Sequence, residues 1–589
     1  MYLPTGSAHV HFRDRHGTLH EYFFENPKEI IQTYNIEEVV SCLHRSEEAS
    51  RQGNFVVGYV AYESAAAFDK RLLTKPATKC PLVYFAVYDR EQSLDKFENY
   101  TGGEYDTGYW SSDTPASEYS EIINSIKQSI RKGDTYQTNY TIRLESHFSG
   151  DDISFYKNLC KSQKASYCAY INLGDLRVIS VSPELFFEYQ DNFIVTRPMK
   201  GTIARGRWYE EDFLMKQKLY QTEKERAENI MIVDLLRNDL GRIADVGSVK
   251  VSKLFEIEKY PNVYQMTSEI NATTDAGLVE IFSALFPCGS ITGAPKVSTM
   301  EIIESIEKSE RGVYCGTIGL LLPYNHYIFN VAIRTVQIEM TNNKAVFGVG
   351  GGVTWDSSVE GEYQELINKA AVLRQDPIEF QILETLRFDG EEYYLLDFHL
   401  ERMSKSADYF GYSYDREEII KKLDAIANKC NKSLRVRVLL SQNGEINIES
   451  SEIKGKYNII NFSLSEFKID SKNPFFYHKT TNRNIYKFNK NSCINDVLLC
   501  NERDEITEFT MGNVVLKIND TFYTPPVESG LLQGTFRRYL LENNEIQEKI
   551  IKKDELKIAQ EMWFINSVQG WVRAQLVTFN ESQYTRLER

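Results

Sequence analysis

The chain contains 589 residues and has a formal net charge of −15, from 68 Lys and Arg against 83 Asp and Glu. Such a length corresponds to about four domains of ordinary size, or to two large ones. Hydrophobic residues make up 42 % and charged residues 26 %, a balance typical of globular proteins that excludes general disorder. The acidic surplus argues against a nucleic-acid partner, which needs a basic face, but it allows an anionic substrate held by a few local cations.

The nine cysteines are scattered and include no Cys-x-x-Cys pair, which favours free thiols in a reducing compartment. No apolar run approaches the roughly 20 residues that a membrane span requires. The N-terminus has charges where a signal peptide needs an apolar stretch. These features predict a soluble cytoplasmic protein without a membrane partner.

The first half of the chain predicts alternating strands and helices. Apolar runs at 55–62 and 82–88 predict strands, and the polar, Gly- and Tyr-rich stretch 95–114 predicts a surface loop. Isoleucines at helical spacing predict a helix over 116–132. A long helix over 359–374 ends this half.

A domain boundary is predicted near residue 375. The sequence Gln-Asp-Pro at 375–377 interrupts the helical pattern, and a strand over 380–388 begins a new unit. The turn Asp389-Gly390 after this strand is typical of a hairpin. We therefore divide the chain into domains 1–375 and 376–589, joined by a short linker.

Two predicted helices each carry a Glu-x-x-Glu pair, Glu225 with Glu228 and Glu362 with Glu365. Residues three apart share a helix face, so each helix presents two carboxylates in one direction. Four converging carboxylates would repel one another without a cation, and oxygen ligands suit Mg²⁺. The alternative is that Thr222 and Glu225 form a capping box and that the acidic pairs are solvated.

Two loops could lie against a ligand. The sequence Ser-Ile-Thr-Gly-Ala-Pro-Lys at 290–296 precedes a predicted helix, either as an anion-binding turn or as an ordinary helix start. The glycine run 348–352 lacks the spacing of a dinucleotide-binding loop and favours close approach of the backbone to a ligand. No histidine lies between His147 and His326, so acid–base chemistry here would fall to Glu and Lys.

Several motifs occur in the same order over roughly 115–375, among them Ser-Pro-Glu-Leu-Phe-Phe at 182–187, Arg-Pro-Met-Lys-Gly-Thr at 197–202 and the two Glu-x-x-Glu helices. With these motifs this part of the chain resembles the chorismate-utilising enzyme family. The resemblance implies an α+β fold built on a layered antiparallel β-sandwich with flanking helices, and chorismate as substrate. It implies that Glu228 and Glu365 bind Mg²⁺ directly, and that Glu225 and Glu362 act through waters or as acid–base groups. It also implies substrate-binding roles for Ser290, Lys296, Tyr314, Arg334 and the backbone of Gly350, Gly351 and Gly352.

Lys200 distinguishes between branches of that family. Pro-Met-Lys-Gly-Thr at 198–202 is similar to aminodeoxychorismate synthases, whereas anthranilate synthases have Pro-Ile-Ala-Gly-Thr. A desolvated, neutral lysine can add at ring carbon 2 and expel the 4-hydroxyl, after which ammonia adds at carbon 4 and expels the lysine. Glu225 and Lys296 are candidates to protonate the leaving hydroxyl. Gln265 stands where many relatives have His, so no imidazole role is expected.

Three motifs in the second half each give a weak signal. Lys479 lies among polar residues, Glu508 precedes a predicted strand, and the glycine-flanked run 530–537 opens a helix as a phosphate cradle would. Together they resemble, over roughly 378–580, the class IV, D-amino-acid-aminotransferase-like enzymes that use pyridoxal 5'-phosphate (PLP). This resemblance implies a two-subdomain fold.

The class IV resemblance also implies residue roles. Lys479 would form the Schiff base with PLP, Glu508 would pair with the pyridinium nitrogen, and Arg402 and Thr535 would hold the phosphate. Gln569 stands where Arg is common, so another basic group such as Arg483 would have to meet the substrate carboxylate.

The two resemblances together predict a bifunctional enzyme for folate synthesis. The first domain would aminate chorismate at carbon 4, and the second would eliminate pyruvate to give 4-aminobenzoate. Because no third domain remains for a glutaminase, ammonia would come from a separate glutamine amidotransferase subunit or from ammonium. A homodimer through the second domain is a further expectation. The alternatives are an anthranilate synthase fused to a class IV aminotransferase, and a synthase whose second half has no catalytic role.

Overall fold

The computed structural model describes residues 3–91, 94–100, 102–374, 378–453, 455, 457–486 and 494–577. The chain divides into two compact units, Met1–Ala204 with Lys216–Pro377, and Arg205–Met215 with Ile378–Arg589. The predicted boundary at 375–376 lies outside the described residues. No pattern in the sequence predicts that Arg205–Met215 belongs to the second unit.

The first unit contains two extended sheets and their covering helices. Its strands are β1 (Ala8–Arg13), β2 (Leu19–Phe24), β3 (Glu29–Thr33), β4 (Phe55–Val60), β5 (Val83–Tyr88), β6 (Tyr105–Asp106), β7 (Ser111–Ser112), β8 (Gln137–His147), β9 (Ser149–Gly150), β10 (Tyr167–Asn172), β11 (Leu176–Ser182), β12 (Leu185–Gln190), β13 (Phe193–Arg197), β14 (Met199–Ala204), β15 (Lys250–Lys259), β16 (Val263–Thr273), β17 (Gly293–Ala294), β18 (Thr317–Leu322), β19 (His326–Asn330), β20 (Thr335–Glu339) and β21 (Lys344–Val353). Its helices are α1 (Val39–Arg51), α2 (Leu94–Glu98), α3 (Ala116–Lys132), α4 (Asp152–Gln163), α5 (Tyr209–Gln221, of which the part up to Met215 belongs to the second unit), α6 (Glu223–Gly241), α7 (Leu278–Leu285), α8 (Lys296–Ile306) and α9 (Val359–Ala370).

The two large sheets of the first unit are antiparallel. One has the order β17-β8-β21-β20-β11-β10-β1-β2, and the other has the order β14-β16-β13-β12-β19-β18-β4-β5-β3. Apolar residues from both sheets, among them Phe12, Tyr59 and Ile318, form one buried cluster. Because side chains alternate between the faces of a strand, the opposite faces are free to pack against helices.

Helices cover the outer faces of this sandwich. Ile123 and Ile126 of α3 pack with α4 and α9 against the first sheet, while α1, α6, α7 and α8 pack against the second. The predicted helix over 116–132 is confirmed, since its isoleucines form the buried face. The predicted helix over 359–374 ends at Ala370 and continues as a 3₁₀ turn to Arg374.

One loop prediction was wrong in part. The stretch 95–114 contains most of α2, together with β6 and β7, and Trp110 within it is only 4 % exposed. The polar composition of this stretch predicted a loop, but a few apolar side chains within it pack into the core. The layered α+β fold predicted for this half is confirmed.

The second unit consists of two subdomains. Its strands are β22 (Ile382–Phe388), β23 (Leu434–Leu440), β24 (Ile446–Glu452), β25 (Ile459–Ile469), β26 (Asp496–Asn501), β27 (Ile506–Phe509), β28 (Gly512–Ile518), β29 (Thr521–Thr524), β30 (Gln547–Glu548), β31 (Glu561–Asn566) and β32 (Gly570–Leu576), and its helices are α10 (Leu396–Phe410), α11 (Arg416–Ala427) and α12 (Thr535–Glu542). The antiparallel sheet β22-β23-β24 packs against α10 and α11 around one core. The mixed sheet β27-β26-β25-β32-β31-β28-β29-β30 has a separate core.

The predicted hairpin turn at Asp389-Gly390 forms, but it is short. Phe388 and Tyr393 make an antiparallel bridge across it, and the Tyr394 N–H donates to the carbonyl of Arg387 at 2.8 Å. The Asp389 carboxylate accepts backbone N–H groups of Glu391 and Glu392. The chain then enters α10, and the long partner of β22 is β23. In the described ranges, no helix has the length and apolar character needed to cross a membrane.

Candidate active sites

The Glu-x-x-Glu pairs of α6 and α9 lie against glycine-containing strands. A Cβ atom at Gly201 of β14 would stand 3.2 Å from Glu225 Oε2, and one at Gly351 of β21 would stand 2.9 Å from Glu362 Oε2. Thr222 occupies the N-cap position of α6, but its hydroxyl donates to the carbonyl of Lys218 and accepts no backbone N–H of the helix. The capping box that offered an alternative role for Glu225 is therefore not formed.

The four carboxylates influence one another. Burial raises the pKa of Glu225, Glu228 and Glu362, and repulsion from a neighbouring glutamate adds to the rise in each case. The Lys369 ammonium lowers the pKa of Glu365, and the same ammonium donates to the carbonyl of Gly350 at 2.8 Å. A cation placed among these oxygens would relieve the repulsion.

These glutamates fit Mg²⁺ by donor chemistry, because every candidate ligand is a carboxylate oxygen. Among the residues that the structure describes, no three His, Cys, Asp or Glu side chains are already gathered as a closed metal-binding group. Glu365 is instead paired with Lys369. Direct binding by Glu228 and Glu365 therefore stays a prediction.

Lys200 of β14 points toward the glycine strand β21. Its Nζ atom would lie 2.9 Å from a Cβ at Gly352, a position where Gln137 Nε2 also leaves no room for a side chain. Burial lowers the pKa of Lys200, and the Lys369 charge lowers it further, against the opposing charges of Glu228 and Glu184. Within the described contacts the amine has no hydrogen-bond partner. It has the environment of a lysine that can be neutral.

Glu184 is a site residue that the sequence analysis did not assign. It lies between β11 and β12, is 3 % exposed, and accepts a hydrogen bond from Ser290 Oγ at 2.7 Å. Burial raises its pKa to about 7, while Ser290 and the charge of Lys200 act in the opposite direction. Glu184 is thus a carboxyl group that can be protonated near neutral pH. Its signal in the sequence was its place in the Ser-Pro-Glu-Leu-Phe-Phe motif at 182–187.

Arg334 and Tyr314 lie close enough to interact. Tyr314 is 5 % exposed and its ring covers Gly348, where a Cβ would stand 2.1 Å from Cδ1. Arg334 has a left-handed backbone, with φ +52°, and makes no ion pair in the described part of the chain. Burial lowers its pKa, and Tyr314, Glu365 and Glu184 are the groups whose charges act against this shift. An unpaired guanidinium in this position suits a substrate carboxylate.

Lys296 is the first residue of α8. Its ammonium donates to Asp239 Oδ2 and to the carbonyl of Leu285, both at 3.0 Å. These bonds tie the start of α8 to the ends of α6 and α7. The acid role of Lys296 stays a prediction.

The second unit contains a cavity of about 930 Å³. The four predicted cofactor residues all line it, namely Arg402, Lys479, Glu508 and Thr535. Burial lowers the pKa of Lys479 to about 8, and the nearby Arg402 lowers it further. A lysine that is partly neutral at physiological pH is suited to carbonyl chemistry.

Glu508 is 3 % exposed, and the donors of its hydrogen bonds among the described residues are neutral. It accepts hydrogen bonds from the Tyr486 hydroxyl at 3.0 Å and from the Leu532 N–H at 3.1 Å. Burial raises its pKa to about 8. A buried carboxyl group that lacks an ion-pair partner among the described residues fits a ligand carrying a protonated nitrogen, as PLP does.

Glu384 binds two residues beside the cavity, Arg402 and His399, and the sequence analysis assigned it no role. It accepts two hydrogen bonds from Arg402, both at 2.7 Å, and one from His399 Nδ1 at 2.6 Å. His399 Nε2 in turn lies 3.2 Å from Thr535 Oγ1. This network fixes both predicted phosphate ligands, and the sequence signal for it was a Glu and a His within the class IV motifs.

The departure at Gln569 also falls in this cavity. Gln569 lines the wall, and its amide oxygen accepts the Tyr457 N–H at 3.3 Å. Arg483 lines the same cavity, donates to the carbonyl of Thr510 at 2.7 Å and stacks on Tyr486 at 4.2 Å. Since Arg483 makes no ion pair within the described ranges, it is available to a substrate carboxylate.

Two protein-family models match this chain, one over each unit. A model of the chorismate binding enzyme family matches residues 9–375. The chain belongs to this family. A model of class IV amino-transferases matches residues 381–577, so the chain also carries a class IV amino-transferase domain.

The relatives within the chorismate binding family are named for two different activities. Aminodeoxychorismate synthase component 1 of Bacillus subtilis (strain 168) is 35 % identical over 359 residues, which are 54 % of this chain and 76 % of that protein. The Escherichia coli (strain K12) protein of the same name is 39 % identical over 272 residues, 46 % of this chain and 60 % of that protein. Anthranilate synthase component 1 of Saccharolobus solfataricus is 32 % identical over 338 residues, 54 % of this chain and 79 % of that protein.

Solved structures support the fold of the first unit. Anthranilate synthase component I from Streptococcus pneumoniae TIGR4 is similar with a TM-score of 0.51 and 24 % identity, covering 63 % of this chain and 91 % of that one. At that identity the likeness concerns the fold alone. The choice between the two activities therefore depends on the residues of the site.

Proposed function

We propose that this protein converts chorismate to 4-aminobenzoate in two steps, an amination by the first unit and an elimination of pyruvate by the second. The observation that carries the proposal is the environment of Lys200, whose unpaired amine adjoins Gly352 and the charges of Glu184 and Glu228. Amination at carbon 2 alone would not require such a nucleophile, whereas amination at carbon 4 does. The relatives named aminodeoxychorismate synthase support the same choice.

In the first step the chain's own residues orient chorismate and exchange its hydroxyl. Arg334 and Tyr314, with the backbone of 350–352, would hold the pyruvyl carboxylate. Lys200 Nζ adds to ring carbon 2, the double bond shifts, and the 4-hydroxyl leaves as water with a proton from Glu184. Ammonia then adds at carbon 4 and expels Lys200, so that chorismate and ammonia give aminodeoxychorismate and water.

Mg²⁺ would be held by Glu228 and Glu365, with Glu225 and Glu362 through waters, and would supply positive charge beside the substrate carboxylate. Glu225 remains a candidate for a supporting acid–base role, because its raised pKa results from the same burial. Ser290 keeps Glu184 in place by its hydrogen bond.

In the second step the chain's residues hold the amine and move one proton. PLP, bound by Arg402, Thr535 and Glu508, would supply the electron sink that makes the ring proton next to nitrogen acidic. Lys479 takes that proton, and Arg483 holds a carboxylate in place of the arginine missing at Gln569. Loss of pyruvate then gives the aromatic 4-aminobenzoate.

The ammonia source is part of the proposal. Relatives are named component 1, which supports a separate glutamine amidotransferase component as partner. A cytoplasmic location and a homodimer through the class IV domain complete the proposal.

The test is a product assay with chorismate, Mg²⁺, PLP and an ammonium salt. The expected products are 4-aminobenzoate and pyruvate in equal amounts. Anthranilate as the main product would overturn the first step in favour of an anthranilate synthase. Aminodeoxychorismate that accumulates without pyruvate release would overturn the second step and leave the class IV domain without a catalytic role.

Replacing the proposed acid gives a further prediction. Glu184→Gln keeps the hydrogen bond with Ser290 but removes the proton donor, so the turnover number for amination should fall about 10²- to 10⁴-fold. Because the pKa of Glu184 is about 7, loss of its proton above pH 7 should oppose the rise in the wild-type rate of adduct formation that the neutral Lys200 amine produces. In the variant the rate should rise with pH without this opposition. Measuring adduct formation without ammonia across pH checks both statements, and an unchanged profile would remove Glu184 from the mechanism.

A further inference from the structure

The segment Arg205–Met215 leaves the first unit and packs within the second. It begins one residue after β14, the strand that carries Lys200. In the second unit its first residues contact Tyr477 and also Tyr409, whose ring packs on His478. His478 immediately precedes Lys479, so the segment that follows the proposed nucleophile of one step contacts the surroundings of the chain neighbours of the other lysine.

On one side the segment holds Tyr477. The indole of Trp208 stacks on the Tyr477 ring with centroids 5.1 Å apart. The Arg207 guanidinium donates to the Tyr477 hydroxyl at 3.1 Å and to the carbonyl of Ser471 at 3.3 Å. The Tyr477 hydroxyl itself donates to the same Ser471 carbonyl at 2.6 Å.

On the other side the segment holds Tyr409 of α10. Arg205 donates to the Tyr409 carbonyl at 2.9 Å and lies 4.4 Å from the centre of its ring, while the Tyr409 hydroxyl donates to the carbonyl of Gly206 at 2.7 Å. The Tyr409 ring packs on His478 with centroids 4.3 Å apart. Asp212 binds both Arg205 and the Gly206 N–H, which fixes the shape of the turn.

The turn has little freedom to change. A Cβ at Gly206 would stand 2.1 Å from the backbone nitrogen of Asp212, so only glycine fits there. His478 is 5 % exposed, and burial lowers its pKa to about 3, with Arg205 lowering it further. His478 is therefore neutral and packs as an uncharged ring against Tyr409 and Phe410.

We propose that residues 205–212 are a positioning clamp for Lys479, which fixes the backbone at 476–480 through Tyr477, Tyr409 and His478. This inference depends on the proposed role of Lys479, and it adds that the PLP lysine is supported by residues encoded within the chorismate binding half. A fragment of this chain that starts at residue 378 would lack the clamp.

The test compares full-length wild type with Trp208→Ala and Tyr409→Phe. Amide hydrogen exchange of peptides covering 476–480 should become roughly fivefold faster in each variant, the effect of losing one aromatic stack in Trp208→Ala or one net hydrogen bond in Tyr409→Phe. The affinity for added PLP should weaken by a similar factor, and exchange in α3 should not change. Arg416→Ala, which removes an exposed ion pair with Asp397 in the same unit, is the matched control.

Wild-type exchange at 476–480 in both variants would overturn the clamp. Faster exchange throughout the second unit in Trp208→Ala would indicate general loosening, and Tyr409→Phe, which removes a single hydroxyl, then decides. If exchange responds as expected but the wild type binds no PLP, the clamp is supported and the proposed cofactor is ruled out. The two failures are therefore distinguishable.

Discussion

Lys200→Ala should abolish amination of chorismate at carbon 4. Removing the nucleophile that displaces the 4-hydroxyl leaves no route to the activated ring, and we expect a loss of about 10⁴-fold or more in turnover number. Wild-type protein incubated with chorismate and Mg²⁺, but without ammonia, should gain the mass of a covalent adduct on the peptide containing Lys200. The alanine variant should show neither 4-aminobenzoate nor adduct.

Lys200→Arg separates nucleophilic catalysis from charge. A guanidinium keeps the positive charge toward Glu228 but is never neutral in proteins, so this variant should be as inactive as Lys200→Ala. An arginine variant with more than a tenth of wild-type activity would show that only charge is needed and would rule out the covalent route. Lys253→Ala, which alters an exposed lysine of β15, should behave as wild type.

The sequence predicted those elements of the fold whose burial follows a simple pattern. In the helix over 116–132 apolar residues recur on one face, and the strands near 55–62 and 82–88 are continuous apolar runs buried on both faces. The turn at Asp389 was also predictable, and Phe388 and Tyr393 pair across it. The full-length partner of β22 was not, because β22 pairs with the distant β23.

The candidate sites were predicted where several motif residues coincide, as for Lys479 and Glu508 in one cavity. Single residues whose role depends on burial were not predicted from the sequence. Glu184 acquires a raised pKa only because the sandwich closes over it, and Lys296 is engaged by Asp239 across two helices. The excursion at 205–215 likewise results from tertiary packing, which no local pattern in the sequence encodes.

Lys479→Ala should abolish pyruvate release while leaving amination intact. The variant has no amine to attach PLP or to take the ring proton, so we expect the elimination rate to fall by about 10⁴-fold or more and aminodeoxychorismate to accumulate. The visible absorbance of bound PLP should also disappear. Lys472→Ala removes an exposed lysine seven residues earlier and should retain both the absorbance and the product.

The pKa of Lys479 gives this prediction a pH dependence in the wild type. Only the neutral amine attacks a carbonyl, and a pKa of about 8 means that the neutral fraction rises through pH 8 and then levels off. The rate at which apoprotein takes up PLP should therefore increase tenfold per unit below pH 8 and become constant above it. A rate that keeps rising to pH 10 would indicate an ordinary exposed lysine, and it would contradict both the burial of Lys479 and its role as the attachment site.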